Sequence, residues 1–244
     1  VPLIHQVKRK LDDIPYSLFD GDARLFGCVG GNADGLDQPF VFEFLKCPCD
    51  FWMVEDFQSP GVAHIEINAA AAEIAADAAP VEVLVAGSMG PSGADVPTPD
   101  PELTAVLHET FAEQAAVLCE AQVDFFLLET FASEVELLIA AEAIASVCEL
   151  PILAQMTCLS QGRTVFGTPV EQAVAAVARH PAVSAVGLNC SVGPSDMLDA
   201  LQRIRSVTEK PISVQPNAGL PRQVDGRMLY MCTPEYMAEY AKRF

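Results

Sequence analysis

Short apolar runs alternate along the chain with longer stretches whose apolar residues recur every three or four positions. The runs fall at Ser17–Asp20, Phe51–Phe57, Val81–Gly87, Val123–Phe131, Pro151–Cys158, Ala182–Cys190 and Pro211–Gln215, and each can form a strand. The helical patterns cover Ile65–Ala79, Pro101–Ala121, Ser133–Glu149, Thr168–His180, Ser195–Glu209 and Pro234–Arg243. Two helix starts are marked by residue type. Asp100 stands before Pro101-Glu102, and Ser195-Asp196 follow Gly193-Pro194. The stretch from Ile65 is rich in alanine, which favours helix and close packing. Residues 22–49 are the least regular, with glycines that mark a loop.

Strand alternating with helix predicts parallel strands joined by right-handed crossovers. Seven strands are one short of the eight that close a β/α barrel. The expected fold is therefore α/β, a (β/α)8 TIM-type barrel lacking its last strand–helix unit, in a single domain over 1–244. On that count Pro211–Gln215 is an edge strand beside a gap at Ser17–Asp20, and an open edge favours association between copies.

Composition narrows the class. With 51% hydrophobic and 19% charged residues, the chain can bury a large core and is not a disordered one. A net charge of −19 with only 14 Lys and Arg argues against nucleic acid, which needs clustered cations. No run approaches the roughly 20 apolar residues of a membrane span. Lys8, Arg9 and Lys10 follow the apolar residues of the first stretch, the reverse of a secretory signal, so a soluble cytoplasmic protein is expected. Eight cysteines in a chain with so full a core read as buried thiols rather than as a disulfide scaffold.

Candidate chemistry gathers where the later strands stop. Between residues 182 and 221, two apolar runs end in Asn189-Cys190-Ser191 and in Gln215-Pro216-Asn217-Ala218-Gly219. A helical stretch with apolar residues at 197, 198, 201, 204 and 207 lies between them. In parallel α/β folds the C-terminal strand ends are where chemistry is built. Glu129 in LLETF holds the same kind of position, suited to a substrate ammonium. Asn217 and Gly219 also suit a turn, and Cys190 also suits a partly buried thiol. Cys28, Cys158 and Cys232 could face the same end, but without CxxC spacing they form a weak metal signal; Cys47-Pro-Cys49 lies towards the other end. Residues Gly87–Gly93 lack the Lys of a phosphate loop and read as a tight turn. His5, His64, His108 and His180 fall in helices or helix starts, so no histidine-centred site is expected.

The segments GLNCSVGP, QPNAGLP, LLETF and GSMGPSG together resemble the homocysteine S-methyltransferase family, which includes the homocysteine-binding domain of cobalamin-dependent methionine synthase. The resemblance implies that a homocysteine thiolate accepts a methyl group and becomes methionine. It implies Zn²⁺ in the complete domain, held by Cys190 and a Cys-Cys pair in a GGCC-type segment; the chain reaches Phe244 without such a pair, so two expected ligands are missing from it. It makes Glu129 the ligand of the substrate amino group and places Asn189 and Asn217 in the homocysteine pocket. Asp20 and Gly21 match a DGAMGT-like substrate loop, while Asp22-Ala23-Arg24-Leu25 and Val54-Glu55-Asp56-Phe57 depart from the family pattern. The implied partners are homocysteine and a methyl donor, be it methylcobalamin, S-methylmethionine or betaine, with room for further domains in a longer protein. The alternative is a non-catalytic or fragmentary member that keeps the barrel and binds an amino acid without zinc.

Overall fold

A computed structural model describes residues 25–27, 62–79, 84–94, 98–219, 222–224, 227–229 and 232–244. The elements run β1 (Leu25–Gly27), α1 (Val62–Ala78), β2 (Ala86–Met89), α2 (Pro101–Glu120), β3 (Phe125–Phe131), α3 (Glu134–Val147), β4 (Ile152–Met156), α4 (Val170–Ala178), β5 (Val183–Asn189), α5 (Pro194–Ile204), β6 (Ile212–Gln215), β7 (Arg222–Val224), β8 (Arg227–Leu229) and α6 (Pro234–Ala241). A 3-10 turn, Arg205–Val207, extends α5. From β2 to β6, strand and helix alternate as the apolar pattern predicts.

Six strands form one sheet in the order β1-β6-β5-β4-β3-β2, and every neighbouring pair is parallel. This corrects the expected edge. Ile212–Gln215 is paired on both sides, with β5 and with β1, where Leu25 faces Ile212 and Gly27 faces Val214. The ends of the described sheet are β1 and β2, and closure into a ring is not seen among the described residues. The expected strands Ser17–Asp20 and Phe51–Phe57 lie outside the described residues. The antiparallel hairpin of β7 and β8 was not anticipated, although the Asp225-Gly226 pair between them is a two-residue hairpin signal.

Local chemistry explains where the helices begin. The Asp100 carboxylate accepts from Leu103 N at 2.8 Å, with Pro101 in the first turn of α2. Ser133 caps α3 by accepting from Val135 N and Glu136 N. α5 starts at Pro194 with Gly193 at the cap position and no side-chain cap, so Ser195 lies inside the helix rather than before it.

The core lies between the sheet and the helices, where Phe111, Phe126, Phe131, Leu137, Ile144, Met156 and Leu188 are wholly buried. Cys119 and Cys148 are joined by a disulfide, which corrects the reading of them as free thiols. Cys119 ends α2 and Cys148 caps α3, and the two helices lead into the neighbouring strands β3 and β4. That topology brings their Cα atoms to 6.4 Å, within bridging range.

The opposite face of the sheet positions the site. A Cβ on Gly87 would meet Val123 and Leu118, so Gly87 looks towards α2 and its neighbour Ser88 looks the other way. Pairing then places Ser88 beside Leu127, Leu127 beside Leu153, Gln155 beside Gly187, Gly187 beside Ser213, and Asn189 beside Gln215. This face is unusually polar for the interior of an α/β sheet. Gln155 reaches across β5 to donate to Ser213 Oγ at 2.8 Å, and it can do so because Gly187 has no side chain. A Cβ at Gly187 would stand 2.4 Å from the Ser213 carbonyl oxygen. We therefore expect Gly187→Ala to destabilise the fold by about 1–3 kcal/mol, the usual cost of overpacking. Denaturant unfolding checks this, and an unchanged midpoint would contradict the β5–β6 register.

Candidate functional site

The polar face ends in a network at the C-terminal tips of β2, β3 and β5. Ser88 Oγ donates to Glu129 Oε1 at 2.6 Å. Asn189 Nδ2 donates to Glu129 Oε2 at 3.4 Å and to Thr130 Oγ1 at 2.9 Å, while its Oδ1 accepts from Thr130 N at 2.8 Å. One amide thus uses its acceptor and both donor hydrogens on two consecutive residues of β3. Both carboxylate oxygens of Glu129 accept hydrogen bonds from neutral donors.

The backbone here departs from ordinary conformations. Thr130, Cys190 and Ser191 have φ of 68°, 58° and 63°, and among the described non-glycine residues only Gln122 joins them. For a β-branched residue such as Thr130 this is a true outlier. Strain of this kind costs about 1–3 kcal/mol per residue, persists only where surroundings enforce it, and clusters at functional sites. The enforcing bonds are visible. Asn189 holds Thr130, and Cys190 N donates to Gln215 O at 3.0 Å. Asn217 N donates to Val192 O at 3.0 Å, which fastens the turn after β5 to the one after β6. The Asn217 side-chain amide points at Cys190 Sγ, 3.8 Å away.

Of the residues expected at the site, Glu129, Asn189, Cys190 and Asn217 share this end of the sheet. Asp20 and Gly21 lie outside the described residues. Asn189 serves as a brace between strands rather than standing free for a ligand. Gly219 does take the left-handed turn conformation, with φ 85°. Asn217 is not among the residues with positive φ; Cys190 and Ser191 are.

Sequence reasoning missed Ser88 and Glu136. Gly87, Ser88 and Met89 belong to β2 itself, not to a tight turn. The signal was alternation, since residue 88 shares a face with 86, as 129 does with 125 and 127. Past β2, Ser92 N and Ser92 Oγ both donate to Glu136 Oε1 at 2.6 Å. Glu136 sits in the first turn of α3 and is buried, so it ties the segment after Ser88 to the start of that helix. Burial raises its carboxyl above the ordinary 4.5, and the two Ser92 bonds oppose that shift.

Among the described residues no three His, Cys, Asp or Glu side chains gather to hold a metal ion. Cys158 is buried, and burial, aided by Asp196 and opposed by Arg203, pushes its thiol up to about 11. Cys232 lies beside the Gly219 turn, with its N–H on Ala218 O at 3.3 Å, and Cys28 is outside the described residues. A catalytic zinc takes about three protein ligands. The described residues alone do not fit one.

The sequence profile of the homocysteine S-methyltransferase family matches residues 53–244. The chain belongs to the homocysteine S-methyltransferase family. It is 31% identical over 160 residues to the methionine synthase of Mycobacterium tuberculosis, and 30% identical over 160 residues to that of Mycobacterium leprae. Each match covers 64% of this chain and 13% of the relative, so the chain spans a small part of those proteins. The apo crystal structure of the homocysteine methyltransferase MmuM from Escherichia coli aligns with a TM-score of 0.52 at 24% identity, over 89% of this chain and 72% of that one. That likeness shows a shared α/β fold built on a parallel sheet.

The Glu136 tie yields a pH-dependent expectation. A raised folded pKa means that the folded chain takes up its proton first as pH falls. This group's contribution to stability is therefore complete below its unfolded value and is lost as pH rises through the folded one. Glu136→Gln keeps an acceptor for Ser92 without the titration, so the stability difference between wild type and variant should shrink as pH falls from 8 towards about 4.5. Glu136→Ala removes the same titration and also leaves Ser92 N–H unsatisfied, so it should cost about 1–3 kcal/mol near pH 4.5 and less as pH rises. Denaturant titrations across that range check both.

Proposed function

We propose that this chain carries the acceptor side of a homocysteine S-methyltransferase: it binds homocysteine, whose sulfur takes a methyl group to give methionine. In that reaction the thiol loses its proton, the donor's bond to the methyl carbon breaks, and a sulfur–carbon bond forms. The carrying observation is that Glu129, near the C-terminal end of β3, and Cys190, just past that of β5, lie at the same end of the sheet, with Asn189 bonded to Glu129 and Thr130. A carboxylate held by Ser88 and Asn189 suits the substrate ammonium. Cys190, with Asn217 on its sulfur, marks where the substrate sulfur goes. Asp20 and Gly21 contribute to the amino-acid pocket in this reading. The methyl donor comes from another module or a small molecule, and the setting is cytoplasmic. None of the described helices is long and apolar enough to cross a membrane.

The family resemblance assigns Cys190 to zinc, but the described donor set is too small, and no step is derived through the metal. That same observation favours a second reading, in which the chain binds the amino acid without zinc and does not itself transfer methyl. Two measurements on purified residues 1–244 discriminate. L-homocysteine, titrated under reducing conditions, should bind at least about tenfold more weakly to Glu129→Gln, as expected for a lost charge-assisted contact; equal affinity would reject the site. Zinc content should fall far below one per chain. Near-stoichiometric zinc, lost in Cys190→Ala, would instead show that residues beyond the described set complete a metal centre and would restore the enzymatic reading for this chain.

A further inference from the structure

Ser88 contributes one of the shortest hydrogen bonds in the network, to an oxygen of the carboxylate assigned to the substrate ammonium. It is held in β2, its side chain is buried, and Gly87 before it packs against α2. The segment after β2 is anchored by Ser92 on Glu136, so the hydroxyl has little freedom to leave. On the other oxygen the Asn189 contact is longer, 3.4 Å, and that amide is shared with Thr130. Between these two donors on Glu129, Ser88 makes the closer bond. A serine hydroxyl donates one hydrogen, and giving it to Oε1 sets the rotation of the carboxylate about its last torsion. Such a terminal torsion is intrinsically broad, so its setting depends on the bonds the carboxylate accepts. We propose that Ser88 is the positioning residue that turns Glu129 to receive an α-ammonium group, and so makes this site select amino acids over thiols that lack the amino group.

This proposal rests on the reading of Glu129 given above, and the test separates the two. The probes are L-homocysteine and its des-amino analogue 4-mercaptobutanoate, titrated into the full chain under reducing conditions. Three variants are compared with wild type: Ser88→Ala, Ser88→Thr and Ser88→Val. Thr and Val fill nearly the same volume, so their difference isolates the hydroxyl. Thermal melts verify that each variant is folded. Wild type should prefer homocysteine. Ser88→Ala and Ser88→Val should lose about tenfold of that preference, in line with the worth of a hydrogen bond to a charged group, with the analogue's affinity unchanged. Ser88→Thr should keep it. A merely structural role for Ser88 would weaken both ligands alike. If wild type discriminates and Ser88→Val discriminates equally well, the proposal falls while the Glu129 reading stands. If wild type itself does not discriminate, both fall.

Discussion

The site depends on one side-chain amide. Asn189 spans from the end of β5 to the end of β3, across β4, and spends its acceptor and both donor hydrogens on Thr130 and Glu129. Without it, the left-handed Thr130 would lose the two bonds that Asn189 makes to it, and Glu129 would lose the donor on Oε2. The next residue, Cys190, begins the left-handed pair that turns the chain back towards β6. In the proposed reading, recognition of the amino-acid end and placement of the thiol are joined mechanically through the consecutive residues Asn189 and Cys190. Any change to Asn189 should disturb both together.

The brace works because the sheet beneath it is shaped for crossing contacts. Gly187 removes a side chain from the middle of β5, so Gln155 on β4 meets Ser213 on β6. The face that looks away from the helices then carries serine, glutamine, asparagine and glutamate, where buried parallel strands ordinarily carry branched aliphatics. Such buried polar groups weaken a fold unless they are paired. Here pairing concentrates at the tips, where Ser88, Glu129, Thr130 and Asn189 satisfy one another.

Much of this was legible in the chain. Helix boundaries from α2 to α5 follow the apolar period and the Asp100 and Ser133 caps, and strand ends at Glu129, Asn189 and Gln215 could be read from where apolar runs stop. What could not be read was register. Alternation alone does not say which residue of β2 lies beside Leu127, so Ser88 looked like part of a glycine turn. A strand count likewise could not reveal that Leu25–Gly27 pairs with β6, because that run is three residues long and sits amid irregular sequence. The Cys119–Cys148 link also escaped notice. Two cysteines 29 residues apart meet only because α2 and α3 deliver parallel neighbouring strands.

A structure of the chain bound to L-homocysteine tests the central claim most directly. The account predicts the substrate nitrogen at about 2.7–3.2 Å from the Glu129 carboxylate, with Ser88 and Asn189 still on that carboxylate and the substrate sulfur turned towards Cys190. A ligand whose ammonium is bound elsewhere, with Glu129 left to Ser88 and Asn189 alone, would contradict it.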